Sequence, residues 1–348
     1  MITLAIPTLN RSDFLTKVLN YYADTGYKHQ IIIGDSSDDF HSEKLKISIN
    51  ELRHRLNIVY RWYSPDISVV KCLDSMLKDV ITPYASVVGD DDFLVPNGLE
   101  KCIGFLEAHE DYTGAHGVGA RIFVSQSRSQ LQVDGVYDYT LSPREEETAS
   151  ERLIRHMSNM SNRIFSVYRT NVLRKMFENV ELPDHAIASD LLPGCLSVVQ
   201  GKTRKLDSFH MVHLVHTGQY MRHKDIYDWL TGPNWFPSYK LFSSILSEEV
   251  SKKDNIALDD SRLVVKQALW AYLNYKFNNH FKNRYTVLTT KEKIKKRFPL
   301  LKKILDKARD KRDGIFPSSR TTLSALSNPS SPYHDDFMPI YRSVLKKR

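Results

Sequence analysis

Short apolar runs alternate with amphipathic stretches through the first 110 residues. Ile2-Thr3-Leu4-Ala5-Ile6 reads as a strand stopped by Pro7, and Ser12 or Asp13 then caps a helix to about Tyr22. The plan repeats. Gln30-Ile31-Ile32-Ile33 is a second strand ending in Gly34-Asp35-Ser36-Ser37, residues 43–56 have helical spacing, 57–63 read as a third strand and 68–80 as a further helix. Ser86-Val87-Val88 then runs into Gly89 and three consecutive carboxylates, Asp90, Asp91 and Asp92, before a helix over residues 97–109. This alternation predicts an α/β fold: a mostly parallel central sheet with helices on both faces. In such sheets ligands bind at the carboxyl ends of the strands, where these acids and hydroxyls fall.

Further along, residues 114–124 have strand character. Residues 125–148 are polar, with Asp134-Gly135 as a hairpin signal, and read as a loop or β-ribbon over the site. Residues 164–169 form another strand, and Asn171 caps a helix through Phe177. Residues 188–200 follow as a helix opened by an acid and closed by Gly201, with Asp190 in its first turn. As a lone residue Asp190 serves equally well as a helix-dipole carboxylate or as a chemical base. His210, His213 and His216 lie in a strand-like run, where period-two spacing puts His210 and His216 on one face and His213 on the other. Single histidines in strands are more often hydrogen-bonded structural residues than ligands. From Asp225 the chain turns helical and aromatic, with Tyr227, Trp229, Trp235, Phe236 and Tyr239 fitting a packing role. Residues 260–277 read as a helix, 291–312 as a basic amphipathic helix broken near Pro299, and the stretch beyond Gly314 as a loose tail with a last short segment over 340–345. The expected organisation is a catalytic domain over 1–224, divided into a nucleotide-binding part (1–110) and an acceptor part (111–224), followed by a helical, basic region over 225–348.

Composition narrows the class. With 348 residues, 41% hydrophobic and 26% charged, the chain has the make-up of a soluble globular protein, and no apolar run approaches the ~20 residues needed to span a bilayer. The first residues enter a strand pattern without a secretory signal, so a cytoplasmic location is expected. Cys72, Cys102 and Cys195 are odd in number and set among apolar residues, as expected for reduced core thiols. The net charge of +8 is localised: residues 276–312 hold 14 basic and 3 acidic residues, a net +11, which leaves −3 for the remainder. Within that segment Ile294, Phe298, Leu301, Ile304 and Leu305 recur among lysines, a pattern suited to peripheral contact with an anionic membrane surface. Phe298 is the lone aromatic over 291–312, so no nucleic-acid partner is expected.

Three adjacent carboxylates repel one another, so a positive group should sit among them. Carboxylate oxygens are hard ligands suited to Mg²⁺ or Mn²⁺, an ion that keeps open positions for phosphates. An isolated triple acid is more often a solvated turn, and it is the setting that raises the metal reading. Three pieces carry a family likeness: Ile6-Pro7-Thr8-Leu9-Asn10-Arg11, Ile33-Gly34-Asp35-Ser36-Ser37, and Gly89-Asp90-Asp91-Asp92-Phe93-Leu94-Val95-Pro96. In that order and spacing the N-terminal half resembles a family 2 glycosyltransferase of the glycosyltransferase A fold, the last piece resembling its Asp-x-Asp segment. There are departures: Gly34 and Gly89 stand where the family often has Asp.

The resemblance implies an inverting, metal-dependent transferase that moves a sugar from a nucleotide-diphosphate sugar, a UDP-sugar by preference, to a hydroxyl of a glycan or lipid-linked acceptor. It implies donor binding by Pro7, Thr8, Asn10, Arg11, Asp35, Asp90, Asp91 and His216, a Mn²⁺ or Mg²⁺ ion held among Asp90, Asp91 and Asp92, and Asp190 as catalytic base. Two rivals are weighed. A nucleotidyltransferase usually carries a glycine-rich loop after its first strand, and residues 4–11 contain no glycine. A membrane-surface or nucleic-acid binding module would account for the basic segment but not for acids at strand ends.

Overall fold

The computed structural model describes residues 1–127, 130–178, 181–218, 226–285 and 321–345. The first half alternates as expected: β1 (Ile2–Thr8), α1 (Ser12–Asp24), β2 (Gln30–Asp35), α2 (Asp39–Leu52), β3 (Asn57–Trp62), α3 (Val69–Lys78), β4 (Tyr84–Val87), β5 (Phe93–Leu94) and α4 (Pro96–Ala108). Then come β6 (Tyr112–Ser127), β7 (Gln130–Tyr139), α5 (Ala149–Ser158), β8 (Val167–Arg169), α6 (Thr170–Phe177), a π-helical turn (Ile187–Leu191) running into α7 (Leu192–Gln200), and β9 (Lys202–Val215). The C-terminal part contributes α8 (Ile226–Leu230), α9 (Trp235–Asp254), α10 (Leu258–Tyr285), α11 (Leu323–Leu326) and α12 (His334–Leu345).

The strands form one sheet in the order β3-β2-β1-β4-β8-β6-β9-β5, with β7 paired to β6. The β3-β2-β1-β4 half is parallel, β8 runs antiparallel between β4 and β6, and β9 lies parallel to β6. The register sets Thr8 beside Asp35, so the polar residues that end β1 and β2 emerge together.

Both faces of the sheet are buried, which the period-two alternation of β1 dictates. Ile2, Leu4 and Ile6 point into one core with α1, α4 and α12, whereas Ala5 points into the other with α3, α7, α9 and α10. The boundary expected at residue 224 therefore does not divide the hydrophobic cores: α9 and α10 complete one, and Leu326, Tyr333, Phe337, Ile340 and Val344 complete the other. The stretch read as a loose tail contributes to the core between Thr321 and Leu345, because Phe337, Ile340 and Val344 share one face of α12.

Other expectations change in detail. Residues 125–139 mostly form the β-ribbon alternative, extending the β6–β7 hairpin, but Asp134-Gly135 lies at a register shift within the ladder and not at its turn. α6 begins at Thr170, whose hydroxyl donates to the Thr82 carbonyl, so Asn171 lies inside the helix and does not cap it. β9 starts at Lys202, well before His210, and α4 approaches it closely: a Cβ on Gly98 would lie 2.3 Å from the Phe209 carbonyl oxygen. The basic helix expected over residues 291–312 lies outside the described residues. Cys72, Cys102 and Cys195 are free and buried, as their apolar settings suggested.

Candidate active site

The carboxyl ends of β1 and β4 form the floor of a cavity of about 870 Å³. Pro7, Thr8 and Arg11 from the first strand and its loop meet Asp90 and Asp91 there. The positive partner that three adjacent acids require is supplied by the protein. Arg11 forms an ion pair with Asp91 and places its Nε 3.3 Å from Asp90 Oδ1, while the Thr8 hydroxyl donates to Asp90 Oδ2 at 2.8 Å. The Arg11 guanidinium leans over the Phe14 ring at 4.8 Å, and Phe14 stacks on His216 with centroids 4.6 Å apart.

His216 follows the last residue of β9, so the strand's alternation no longer fixes its direction. Its Nε2 lies 2.8 Å from Asp91 Oδ2, and Gly218 N–H donates to its Nδ1, which assigns the ring proton to Nε2 and makes His216 a donor to Asp91. His213 reaches the acids too, with Nδ1 2.9 Å from Asp92 Oδ1, where Leu214 N–H also donates. His210 does not: it is buried with Nε2 2.9 Å from the Phe165 carbonyl. The expectation that His210 and His216 share a face is therefore corrected by the end of the strand at Val215.

These contacts separate the three acids. Burial raises Asp90 above the ordinary carboxylate range, against the pull of Arg11. Burial acts on Asp91 as well, but the His216 bond and the Arg11 charge outweigh it and hold Asp91 low. Asp92 is 2% exposed and raised by burial, and it holds His213 protonated to a higher pH than usual, so this pair ties the acidic turn to β9. A Cβ on Gly89 would lie 2.9 Å from Asp92 Oδ2, so the turn folds its carboxylates over a position that has no room for the family's Asp.

The remaining donor candidates are less exposed. Asp35 is fully buried, accepting from the Tyr60 hydroxyl at 2.7 Å and from Ser37 N–H at 2.9 Å, and its neighbour Ser36 takes the place on the cavity wall. Asn10 adopts the left-handed backbone region that Asn tolerates, and it locks the two strand-end loops together: its N–H donates to Ser37 Oγ and its Oδ1 accepts from Asp38 N–H. Gly34 sits where α3 presses closest, and a Cβ there would meet Met76 Sδ at 2.2 Å.

Asp190 lies on the cavity wall within the π-helical turn, and its Oδ1 accepts from Asn162 Nδ2 at 3.2 Å. It does not cap the helix. Asp184 does, accepting from Ile187 N–H at 2.9 Å and from Trp229 Nε1 at 3.0 Å. A π turn re-aims side chains, and such turns are frequent at functional sites. The same wall holds residues that were not expected: Arg121, Phe123 and Tyr139 from the hairpin, Asn162 before β8, and Tyr275 from α10. Their signals were weak because each reaches the cavity through pairing or packing between distant parts of the chain.

Asp90 and Asp91 are the residues that could hold a divalent ion of the Mg²⁺ or Mn²⁺ type. They are adjacent hard-oxygen groups on the cavity floor, and such ions commonly take one or two protein carboxylates, with phosphates and water completing the shell. Among the described residues no cluster of three or more His, Cys, Asp or Glu side chains is arranged to hold a metal. No helix of the described residues is long and apolar enough to cross a membrane.

No protein-family model matches the chain, and no curated protein matches it. Solved structures do. Residues 1–349 of S. aureus TarS in complex with UDP-GlcNAc superpose with a TM-score of 0.54 at 16% identity, covering 82% of this chain and 76% of that one. A second structure of the same TarS fragment gives 0.51 at 14% identity, covering 82% and 75%. The chain thus has the mixed α/β fold of these structures, with the helical C-terminal region expected from its sequence.

Proposed function

We propose that the chain is an inverting glycosyltransferase that moves a sugar from a nucleotide-diphosphate sugar, preferentially a UDP-sugar, to a hydroxyl of a glycan or lipid-linked acceptor. The observation that carries this reading is one cavity with Asp90 and Asp91 on its floor, at the carboxyl ends of the strands, and Asp190 on its wall in a π turn. A fold shared with a protein whose crystal structure holds UDP-GlcNAc supports it.

In this mechanism the cavity side of β1 and β2, with Pro7, Thr8 and Ser36, receives the nucleoside. Asn10 and Asp35 act from behind that wall by fixing the loops. Arg11, Asp90 and Asp91 meet the diphosphate end, where His216 orients Asp91. Asp90 and Asp91 would hold the Mn²⁺ or Mg²⁺ ion, which when bound neutralises charge on the leaving diphosphate. Asp92 is spent on β9 and holds the turn in place. Asp190 takes the proton of the attacking hydroxyl, with Asn162 fixing one of its oxygens. Attack opposite the leaving group inverts the anomeric carbon in a single displacement.

Replacing a general base typically costs ~10²–10⁴-fold in rate. Asp190→Asn should lose turnover on that scale in a UDP-sugar transfer or hydrolysis assay while still binding UDP and keeping its melting temperature. A variant that turns over at the wild-type rate would remove Asp190 as the base.

A further inference from the structure

One cation on the cavity wall has no charged partner among the described residues. Arg121 stands on β6 facing the cavity, and among the described residues its side chain makes neither a hydrogen bond nor an ion pair. Its Nε is shut off from water with nothing to accept its proton. Arg11 and Arg163 also bury an Nε without a hydrogen bond, but their Nη atoms reach acceptors, Asp91 for Arg11, and Thr203 and the Ser142 carbonyl for Arg163, while Arg152 donates to the Val198 carbonyl. A guanidinium offers five donors in a rigid fork; here the Nε donor is cut off from water, and the Nη donors remain open to acceptors that a ligand can supply.

The surroundings indicate which part of a substrate that ligand group belongs to. The Arg121 guanidinium carbon lies 5.6 Å from the Tyr139 ring centroid. That ring is held by its own hydroxyl, which donates to the Asn162 carbonyl at 3.1 Å, and the Asn162 side chain donates to Asp190. Arg121 is thus linked through two residues to the candidate base, on the side where an attacking hydroxyl must arrive. Phe123, two residues along β6, shares its face and lines the same wall. A charged fork between aromatic surfaces suits a ligand that combines an oxyanion with a carbon-rich ring or chain.

We infer that Arg121 binds an oxyanion, phosphate or carboxylate, carried by the acceptor, which makes that acceptor anionic. Its assignment to the acceptor rests on the transferase reading above, whereas the oxyanion site stands without it. The fork accounts for selectivity as well: an anionic acceptor gains charge-assisted hydrogen bonds to Arg121 that a neutral acceptor lacks.

Saturation-transfer NMR on the full chain tests this, with glycerol 3-phosphate and glucuronate as probes and glycerol and glucose as neutral counterparts, each run with and without UDP and Mn²⁺. The expected result is transfer to at least one anion and to neither neutral compound. Arg121→Met should weaken that binding at least about tenfold, the scale of losing hydrogen bonds to a charged group, with UDP affinity unchanged. Arg121→Lys, which keeps the charge but not the fork, should fall between the two and guards against a misfolded Met variant. Whether glycerol 3-phosphate or glucuronate responds distinguishes a phosphate-bearing from a uronate-bearing acceptor. Transfer to neither anion, or transfer that survives in Arg121→Met, overturns the assignment. So does an equal loss of UDP affinity, which would place Arg121 on the donor diphosphate. If wild-type protein fails to bind UDP, the transferase reading falls, and the arms without UDP still decide the oxyanion site.

Discussion

His116, His156 and His210 are buried, and burial holds each below the ordinary imidazole range, His210 down to about 4. A histidine kept neutral in the fold contributes stability that is lost as pH falls from its unfolded value near 6.5 through its folded value, because the unfolded chain takes up the proton first. Asp90, raised by burial, acts in the opposite direction as pH changes, so the net curve of the wild type mixes both signs. A difference between variants isolates one group. His210→Gln keeps a donor near the Phe165 carbonyl and removes the titration, so its stability relative to wild type should be constant above pH 7. Below that it should improve by about 1.4 kcal/mol per pH unit down to pH ~4. Chemical denaturation at a series of pH values measures this, and a gap that does not change with pH would show that His210 takes up its proton in the fold as readily as in the unfolded chain. At this scale the sequence revealed much of the floor and little of the wall. Asp90, Asp91, Thr8 and Arg11 converge as their strand-end positions suggested, since parallel register carries those ends to one place. Arg121 and Tyr139 were unreadable because they act together through a long hairpin and across to Asn162, where no local pattern links them.

The helix that carries Asp190 shows what periodicity can and cannot supply. An acid-opened, glycine-closed helix was legible, but the acid that opens it is Asp184, and a π-helical turn separates it from α7. A π turn this short, five residues over Ile187–Leu191, is too brief for hydrophobic spacing to mark. The two acids should therefore divide their roles under mutation. Asp184→Ala removes the cap on Ile187 and the Trp229 bond to α8, and should cost about 1–2 kcal/mol in a denaturant titration, the usual price of a lost N-cap. Asp190→Asn should leave that titration nearly unchanged. The reverse pattern would make Asp190 the structural acid and return the choice of base to the other carboxylates of the cavity.

Across the whole molecule, the C-terminal helix closes the core that the first strand opens. Phe337 is fully buried against Phe209, Lys17 Nζ donates to the Val344 carbonyl at 3.4 Å, and Asn97 Nδ2 donates to Asp336 at 3.2 Å. The apolar spacing of α12 was present in the sequence, but the Ser- and Pro-rich stretch before it concealed that the chain returns. Phe337→Ala should cost about 3–5 kcal/mol, the scale of emptying a large aromatic site, and should lower the melting temperature of the entire protein and not only of a tail. This return also dictates how the basic segment must be tested. α12 belongs to the core, so cutting the chain near residue 290 would remove it and report on folding instead of on charge. The suitable variant keeps the full length and replaces Lys295, Lys296, Arg297, Lys302 and Lys303 with Gln. Each basic residue near an anionic bilayer is worth about 1 kcal/mol, so five together dominate a peripheral interaction. If residues 291–312 rest on such a surface, wild-type protein should sediment with vesicles rich in anionic lipid, in proportion to that lipid and against added salt. The five-Gln variant should stay in the supernatant with an unchanged melting temperature. Equal sedimentation of both proteins, or recovery that ignores salt, would leave the charges as ordinary solvated surface.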